Sequence, residues 1–204
     1  MNRAIAQALC SLLFCASCMF PAFAGQPAAA KQYRGILTRE AHFVNGLSAP
    51  VPMYAAQIEQ ESGWKAGITA WDGGKGLAQF MDATAGDIVR TYPELGKPAP
   101  MNPTWAIRAL VRYNIWLGQR VQAVDDCNRR AAALTAYNGG LGYVQDSQSR
   151  ATIRGQWFQG AETVKTRQSA ANFAASRLYP RKIIFDRQPH YEGWGTYTCE
   201  GVKP

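Results

Sequence analysis

The chain has 204 residues, 47% apolar and 18% charged, with 22 Lys and Arg against 14 Asp and Glu, and five cysteines. These proportions exclude a disordered chain, a collagen and a coiled coil, and leave enough apolar material for one packed domain. The basic excess suits a polyanionic partner, nucleic acid inside a cell or wall polymer and acidic lipid outside it, although solubility alone is another use of such a charge.

The first element in chain order is a targeting segment. Arg3 precedes an uncharged apolar run from Ile5 to Phe20, which ends in the small-x-small site Ala22-Phe23-Ala24 before Gly25. That pattern predicts a cleaved secretory signal over residues 1–24, because Ser, Cys and Pro interrupt a run already short for a membrane span. Lipid modification at Cys18 is the alternative, and Cys15 standing where such sites take Leu counts against it. Cleavage removes one Arg and no acids, which leaves 21 basic against 14 acidic residues, a balance of +7. Cys10, Cys15 and Cys18 leave with the signal, and an even pair remains. In an oxidising compartment Cys127 and Cys199 are then expected to form one disulfide, two free buried thiols being the other option. Export, to a periplasm, favours wall polymer over nucleic acid as the partner.

Residues 25–35, rich in Ala, Gly, Gln and Pro, show no periodicity and read as a flexible leader before a domain spanning 36–204. Pro52 suits a helix start and Gly63 its end, so a helix is expected between them with Glu61 in its last turn. A short hairpin is the most that fits Ile68 to Leu77, since alternating Val, Ile and Thr runs are nearly absent. A helix follows from Ala83 to Tyr92, with Asp82 as a candidate N-cap. The Pro-rich stretch Tyr92 to Pro100 is too short to separate two domains. Asn102-Pro103 opens a long amphipathic helix, with Ala106, Leu110, Tyr113, Leu117, Val121 and Val124 on one stripe and Arg108, Arg112 and Gln119 opposite. Another helix runs from about Asn128 to Tyr137, where Gly139-Gly140 stops it. The fold class is mainly α, a single compact helical domain.

Glu61 carries the chemistry. Tyr54, Ile58 and Glu61 stand at i, i+4 and i+7, which places the Glu61 carboxyl on an apolar stripe, while Glu59 is rotated off it. A carboxyl against apolar side chains, near the negative end of a helix dipole, has its ionised form disfavoured and its pKa raised. Such a group holds a proton at neutral pH and can give it to a leaving oxygen, as cleavage of a glycosidic bond requires. An acid at a solvated helix end is the competing reading of the same spacing. His42 and His190, the two histidines, are too few and too far from clustered Cys for zinc, and read as surface or loop residues. No nucleophile elbow is visible, and Gly73-Gly74-Lys75-Gly76 lacks phosphate-loop spacing, so no metal or cofactor is expected. Trp64, Trp71, Tyr143, Trp157 and Trp194 are either sugar-stacking platforms or core.

Three segments in order, Glu61-Ser62, then Gly76-Leu77-Ala78-Gln79, then Ala136-Tyr137-Asn138, make the sequence resemble the soluble lytic transglycosylase (SLT) family, whose lysozyme-like domain carries Glu-Ser, Gly-Leu-Met-Gln and Ala-Tyr-Asn. The likeness runs from about Met53 to Tyr191. It implies an α+β lysozyme-like fold with a mainly helical domain, and peptidoglycan glycan strands as substrate, cut at the MurNAc–GlcNAc link with formation of 1,6-anhydro-MurNAc. Carried over residue by residue, it makes Glu61 the catalytic acid and then base, with Ser62 ordering the site. Gln79 would line the glycan groove, Tyr137 would hydrogen-bond near Glu61, and Asn138 would contact an acetamido group. The family's late tyrosine corresponds to Tyr179. Ala78 departs from the usual Met, and Asp82 stands where Pro is common. Compact members often serve secretion, conjugation or pilus machinery, which makes such an apparatus an expected partner. Two alternatives stay open: a water-using muramidase with Asp72 assisting, and an inactive wall-binding scaffold.

Overall fold

The computed structural model describes residues 25–202, so the expected signal segment with Cys10, Cys15 and Cys18 lies outside the described residues. Seven α-helices are present among them: α1 (Arg34–Asn45), α2 (Val51–Ser62), α3 (Asp82–Thr91), α4 (Pro103–Gly118), α5 (Asp126–Gly139), α6 (Leu141–Arg150) and α7 (Ala170–Arg181). A π-helical turn (Lys182–Arg187) and a 3-10 turn (Gln188–Tyr191) follow α7. The domain is mainly α, and its extended structure amounts to isolated antiparallel bridges, Thr69 to Lys75 and Lys75 to Phe80, where the hairpin was expected.

Helix α2 is the axis of the fold. Pro52 lies in its first turn, where a missing N–H costs nothing, and every residue from Val51 to Ile58 is buried. A helix apolar on all sides must be wrapped on all sides. Helix α1 and the segments 182–187 and 188–191 pack around it. Gly63 ends it in the left-handed conformation (φ 57°), and its amide bonds the Glu59 carbonyl. Helices α4, α5 and α7 start on side-chain caps: Asn102, Asp125 and Ser169 accept from the amides of Trp105, Asn128 and Asn172. Pro180 sits near the end of α7, and the π-helical turn that follows it marks a shift out of the i to i−4 ladder.

Several expectations are corrected by tertiary contacts. The helix expected to reach Val124 stops at Gly118. The side-chain amide of Gln148 brackets Gln122, accepting from its N–H at 3.1 Å and donating to its carbonyl at 2.6 Å, and the Gly155 carbonyl takes the Val124 amide at 3.1 Å. Val121 is still buried, but Val124 is exposed. Residues 25–35 do not form a structureless leader. Ala28–Tyr33 is a 3-10 turn with Ala30 fully buried, Tyr33 stacks on Trp64 at 5.8 Å, and α1 begins at Arg34. Met81, not Asp82, occupies the N-cap of α3; Asp82 is its first residue and pairs with Lys75 at 2.7 Å.

Cys127, at the start of α5, is bonded to Cys199, 72 positions further along the chain, with Cα atoms 4.7 Å apart. The bond ties the carboxyl-terminal tail to the middle of the domain. A loop of that length removes enough chain entropy from the unfolded state to contribute up to about 4 kcal/mol. Reduction, or Cys199→Ser, should therefore lower the melting temperature by about 10 °C in a calorimetric or circular-dichroism melt.

Candidate active site

Glu61 sits in the last turn of α2, and its side chain meets α7: the Tyr179 hydroxyl donates a hydrogen bond to Glu61 Oε1. Tyr179 is buried and its ring lies parallel to that of Tyr137 from α5, with centroids 6.5 Å apart. Phe80 and Tyr113 pack on the Tyr137 ring. Three helices and one loop thus bring aromatic faces around a single carboxyl.

Burial raises the Glu61 pKa from 4.5 to about 7, the Tyr179 hydrogen bond opposes the rise by stabilising the charged form, and the charge of Asp72 adds to it. The same burial, with Glu61 as a negative neighbour, pushes the phenols of Tyr179 and Tyr137 well above their ordinary value. They are hydrogen-bond donors at any physiological pH. Glu61 therefore divides between its two protonation states near neutrality, so it can both give and take a proton.

The second segment of the site is built on backbone. Ser62 Oγ donates to the carbonyls of Leu77 (2.9 Å) and Ile58 (3.2 Å), and so pins the loop 76–80 to the end of α2. Gly76 has φ 69°, and a Cβ there would lie 2.1 Å from the Pro100 carbonyl oxygen, so only glycine fits. Gln79 is held in the left-handed region (φ 51°) with Nε2 donating to the Gly76 carbonyl at 2.7 Å. The Tyr137 hydroxyl donates to the Ala78 carbonyl at 2.7 Å. Tyr137, expected to hydrogen-bond near Glu61, gives its hydroxyl hydrogen to the loop, and Tyr179 supplies the partner of the carboxyl.

The structure brings Glu61, Ser62, Gln79, Tyr137 and Tyr179 together through these contacts. Asn138 is exposed at the end of α5, beside a cavity also lined by Tyr143, Arg167 and Asn172. Asp72 is exposed, and its Oδ1 accepts the Gly74 amide at 3.2 Å, the contact of a turn residue. Among the five aromatic platforms proposed, Trp64, Trp157 and Trp194 are buried, whereas Trp71 and Tyr143 are exposed. His190, expected at the surface, is mostly buried against Glu59 at 3.1 Å, and Tyr191 donates to the same carboxylate at 2.7 Å. Glu59 itself, rotated off the apolar stripe of its own helix, faces this second set of groups rather than solvent. No group of three or more His, Cys, Asp or Glu positioned to hold a metal occurs among the described residues. None of their helices is long and apolar enough to cross a membrane.

Fold and site together define a lysozyme-like helical domain organised on one half-buried carboxyl. The family described as the transglycosylase SLT domain matches residues 47–158, more than half of the chain, and the protein belongs to that family. A crystal structure of the 70 kDa soluble lytic transglycosylase SLT70 from Escherichia coli shares the fold, with a TM-score of 0.55 at 21% identity. The likeness covers 78% of this chain and 24% of that enzyme, so the chain spans about a quarter of its solved relative. No curated protein matches the chain.

The raised pKa of Glu61 has a consequence for folding. Its folded value, about 7, lies above the ordinary 4.5, so the folded state binds the proton more tightly. The contribution of Glu61 to stability is greatest below pH 4.5, falls as pH rises through 4.5 to 7, and is flat above. Glu61→Gln, which cannot ionise, should gain on the order of 3 kcal/mol relative to wild type at pH 8, and this gain should vanish by pH 4 in urea melts.

Proposed function

We propose that the protein is an exported peptidoglycan lytic transglycosylase that cuts MurNAc–GlcNAc links with Glu61 as general acid and then general base. The observation that carries this reading is the half-buried Glu61 carboxyl, poised near pH 7 and bonded to Tyr179. Family membership supports the class of reaction. The Cys127–Cys199 bond accords with an oxidising compartment.

The chemistry follows from having one carboxyl. Protonated Glu61 gives its hydrogen to the glycosidic oxygen as the bond to C1 of MurNAc breaks, so the departing sugar leaves as a neutral alcohol. The N-acetyl carbonyl of the same MurNAc assists that departure. Glu61, now a carboxylate stabilised by the Tyr179 hydroxyl, takes the proton from the C6 hydroxyl, whose oxygen closes on C1. The enzyme ends with Glu61 protonated again, and no water is consumed. Ordinary glycosidases need a second carboxyl to attack or to activate water. Asp72, the acid whose charge Glu61 senses, is occupied in its own turn, which favours the one-carboxyl reading over the muramidase. Gln79 and Asn138 supply the paired donors and acceptors that an N-acetyl sugar requires. The net charge suits an anionic wall polymer. Service to a secretion, conjugation or pilus apparatus belongs to the same proposal and is tested by the transfer rate of a deletion strain.

Purified protein acting on sacculi should release muropeptides one water lighter than hydrolysed ones by mass spectrometry, and Glu61→Gln should lower their rate of release at least about 100-fold. Products that carry the added water would establish the muramidase instead. Because Glu61 must be protonated to act, kcat/KM should fall as pH rises through about 7. Tyr179→Phe removes the bond that favours the carboxylate, so this basic limb should move to higher pH while kcat drops; a limb that stays in place would detach Tyr179 from the proton on Glu61.

A further inference from the structure

Behind Tyr179 the hydrogen bonding continues into the core. Gln57 Nε2, in the middle of α2, donates to the Tyr179 hydroxyl oxygen at 3.3 Å. Asn114, on α4, donates from Nδ2 to Gln57 Oε1 at 2.8 Å and to the Leu110 carbonyl at 2.9 Å. Gln57 has no exposed surface, and Asn114 and Tyr179 are more than nine-tenths buried. Gln57 lies exactly one helical turn before Glu61, within an otherwise apolar stretch of α2 apart from the Tyr54 hydroxyl.

The chain of bonds has a fixed polarity. The Leu110 carbonyl is a backbone acceptor already built into α4, so Asn114 must turn its nitrogen toward it. That nitrogen then spends its second hydrogen on Gln57, which obliges Gln57 to present oxygen to Asn114 and nitrogen to Tyr179. With its oxygen accepting from Gln57, the Tyr179 hydroxyl directs its one hydrogen at Glu61. Reversing any amide would set two acceptors or two donors face to face. The order is kept at a cost, since Asn114 Oδ1 is left buried with no partner among the described residues. An apolar pair at these two positions would pack without that cost.

We propose that Gln57 and Asn114 are positioning residues of the active site, which hold Tyr179 with its hydroxyl hydrogen aimed at Glu61 and thereby set the readiness of Glu61 to release and recover its proton. The proposal rests on the reading of Glu61 as the proton donor. A donor on the Tyr179 oxygen makes that hydroxyl a stronger donor in turn, because consecutive hydrogen bonds polarise one another. The carboxylate form of Glu61 gains, and the neutral form gains little. The titratable groups facing Glu61 are Tyr179 from α7, Tyr137 from α5 and Asp72 from the loop after α2, and neither variant below replaces any of them.

The test uses Gln57→Met, which keeps length and loses the donor, and the double variant Gln57→Met with Asn114→Leu, which removes both polar groups together. The Glu61 carboxyl is followed by carbon-13 NMR across pH, and kcat and KM are measured over the same range. The expected result is a Glu61 midpoint and a basic limb of kcat/KM both displaced upward by about half a pH unit. Turnover should fall about tenfold with KM within about twofold, the split that marks an interaction made in the transition state. The double variant should melt at or above the wild-type temperature, which separates positioning from packing. An unmoved carboxyl midpoint in the double variant would overturn the proposal even if turnover fell. Failure of the wild-type protein to cut sacculi would instead refute the functional reading, and the NMR titration would still decide whether Gln57 acts on Glu61.

Discussion

The structure depends on keeping one carboxyl out of water without leaving it unpartnered. Glu61 stands at the end of a helix buried from Val51 to Ile58, and among the described residues the one side chain that hydrogen-bonds it is Tyr179, 118 residues further along the chain. That single contact requires α7 to return against α2, and much of the carboxyl-terminal third serves the return. Tyr191 and His190 bond Glu59 on the same helix, Trp64 Nε1 donates to the Tyr191 hydroxyl at 2.6 Å, and the Cys127–Cys199 bond holds the tail that follows. Glu59 and Glu61 are two residues apart and face opposite sides. One is occupied by fixed partners that fasten the fold, and the other is left with a single hydroxyl, open to exchange a proton.

The magnitudes of the opposing effects explain why the site falls near neutrality. Full desolvation alone can lift a carboxyl by three to five pKa units, to a value at which it would rarely ionise. A hydrogen bond from a neutral phenol returns part of that shift, and the balance lies at about 7. Two or three donors would have restored an ordinary acid, ionised at neutral pH and with no proton to give. None would have left a group that holds its proton too tightly to release it in the first half of the proposed reaction. One donor, itself held by Gln57, satisfies both halves.

Much of the fold was legible because its signals are local. Pro52 and Gly63 bracket α2, Asn102-Pro103 opens α4, and Gly139-Gly140 closes α5, each through backbone chemistry that neighbouring residues alone determine. Helices α1, α6 and α7 were not foreseen: α1 buries only Leu37 and Ala41, and the core-facing sides of α6 and α7 include Ser147 and Gln148, and Ser176 and Arg177, so none shows an apolar stripe. The overrun of α4 to Val124 has a different origin, since the stripe continues correctly to Val121 but the Gln148 amide claims the backbone beyond it. At the site, Glu61 was readable from its place on the stripe. Which of the Tyr137 and Tyr179 hydroxyls reaches the carboxyl was not, because that is decided by the packing of α5 against α7. Gln57 carried a readable signal, a carboxamide within an apolar run one turn before an acid, but Asn114, its partner, lies on another helix.

The loop after α2 shows how the same economy extends to the substrate side. Gly76 is fixed by its approach to the Pro100 carbonyl, Ser62 and Tyr137 hold the carbonyls of Leu77 and Ala78, and Gln79 is forced into a left-handed conformation as a result. Side chains at such positions are expensive to strain and are kept where geometry matters more than stability. Ala78 stands in the middle of this stretch, and its backbone carbonyl, not its side chain, makes the contact with Tyr137. Ala78 has no exposed surface, so a larger side chain there would press on the core rather than act on the bond that its carbonyl makes. The framing and the proton then have separate supports: backbone carbonyls fix the loop, and a polarised chain of amides fixes the acid.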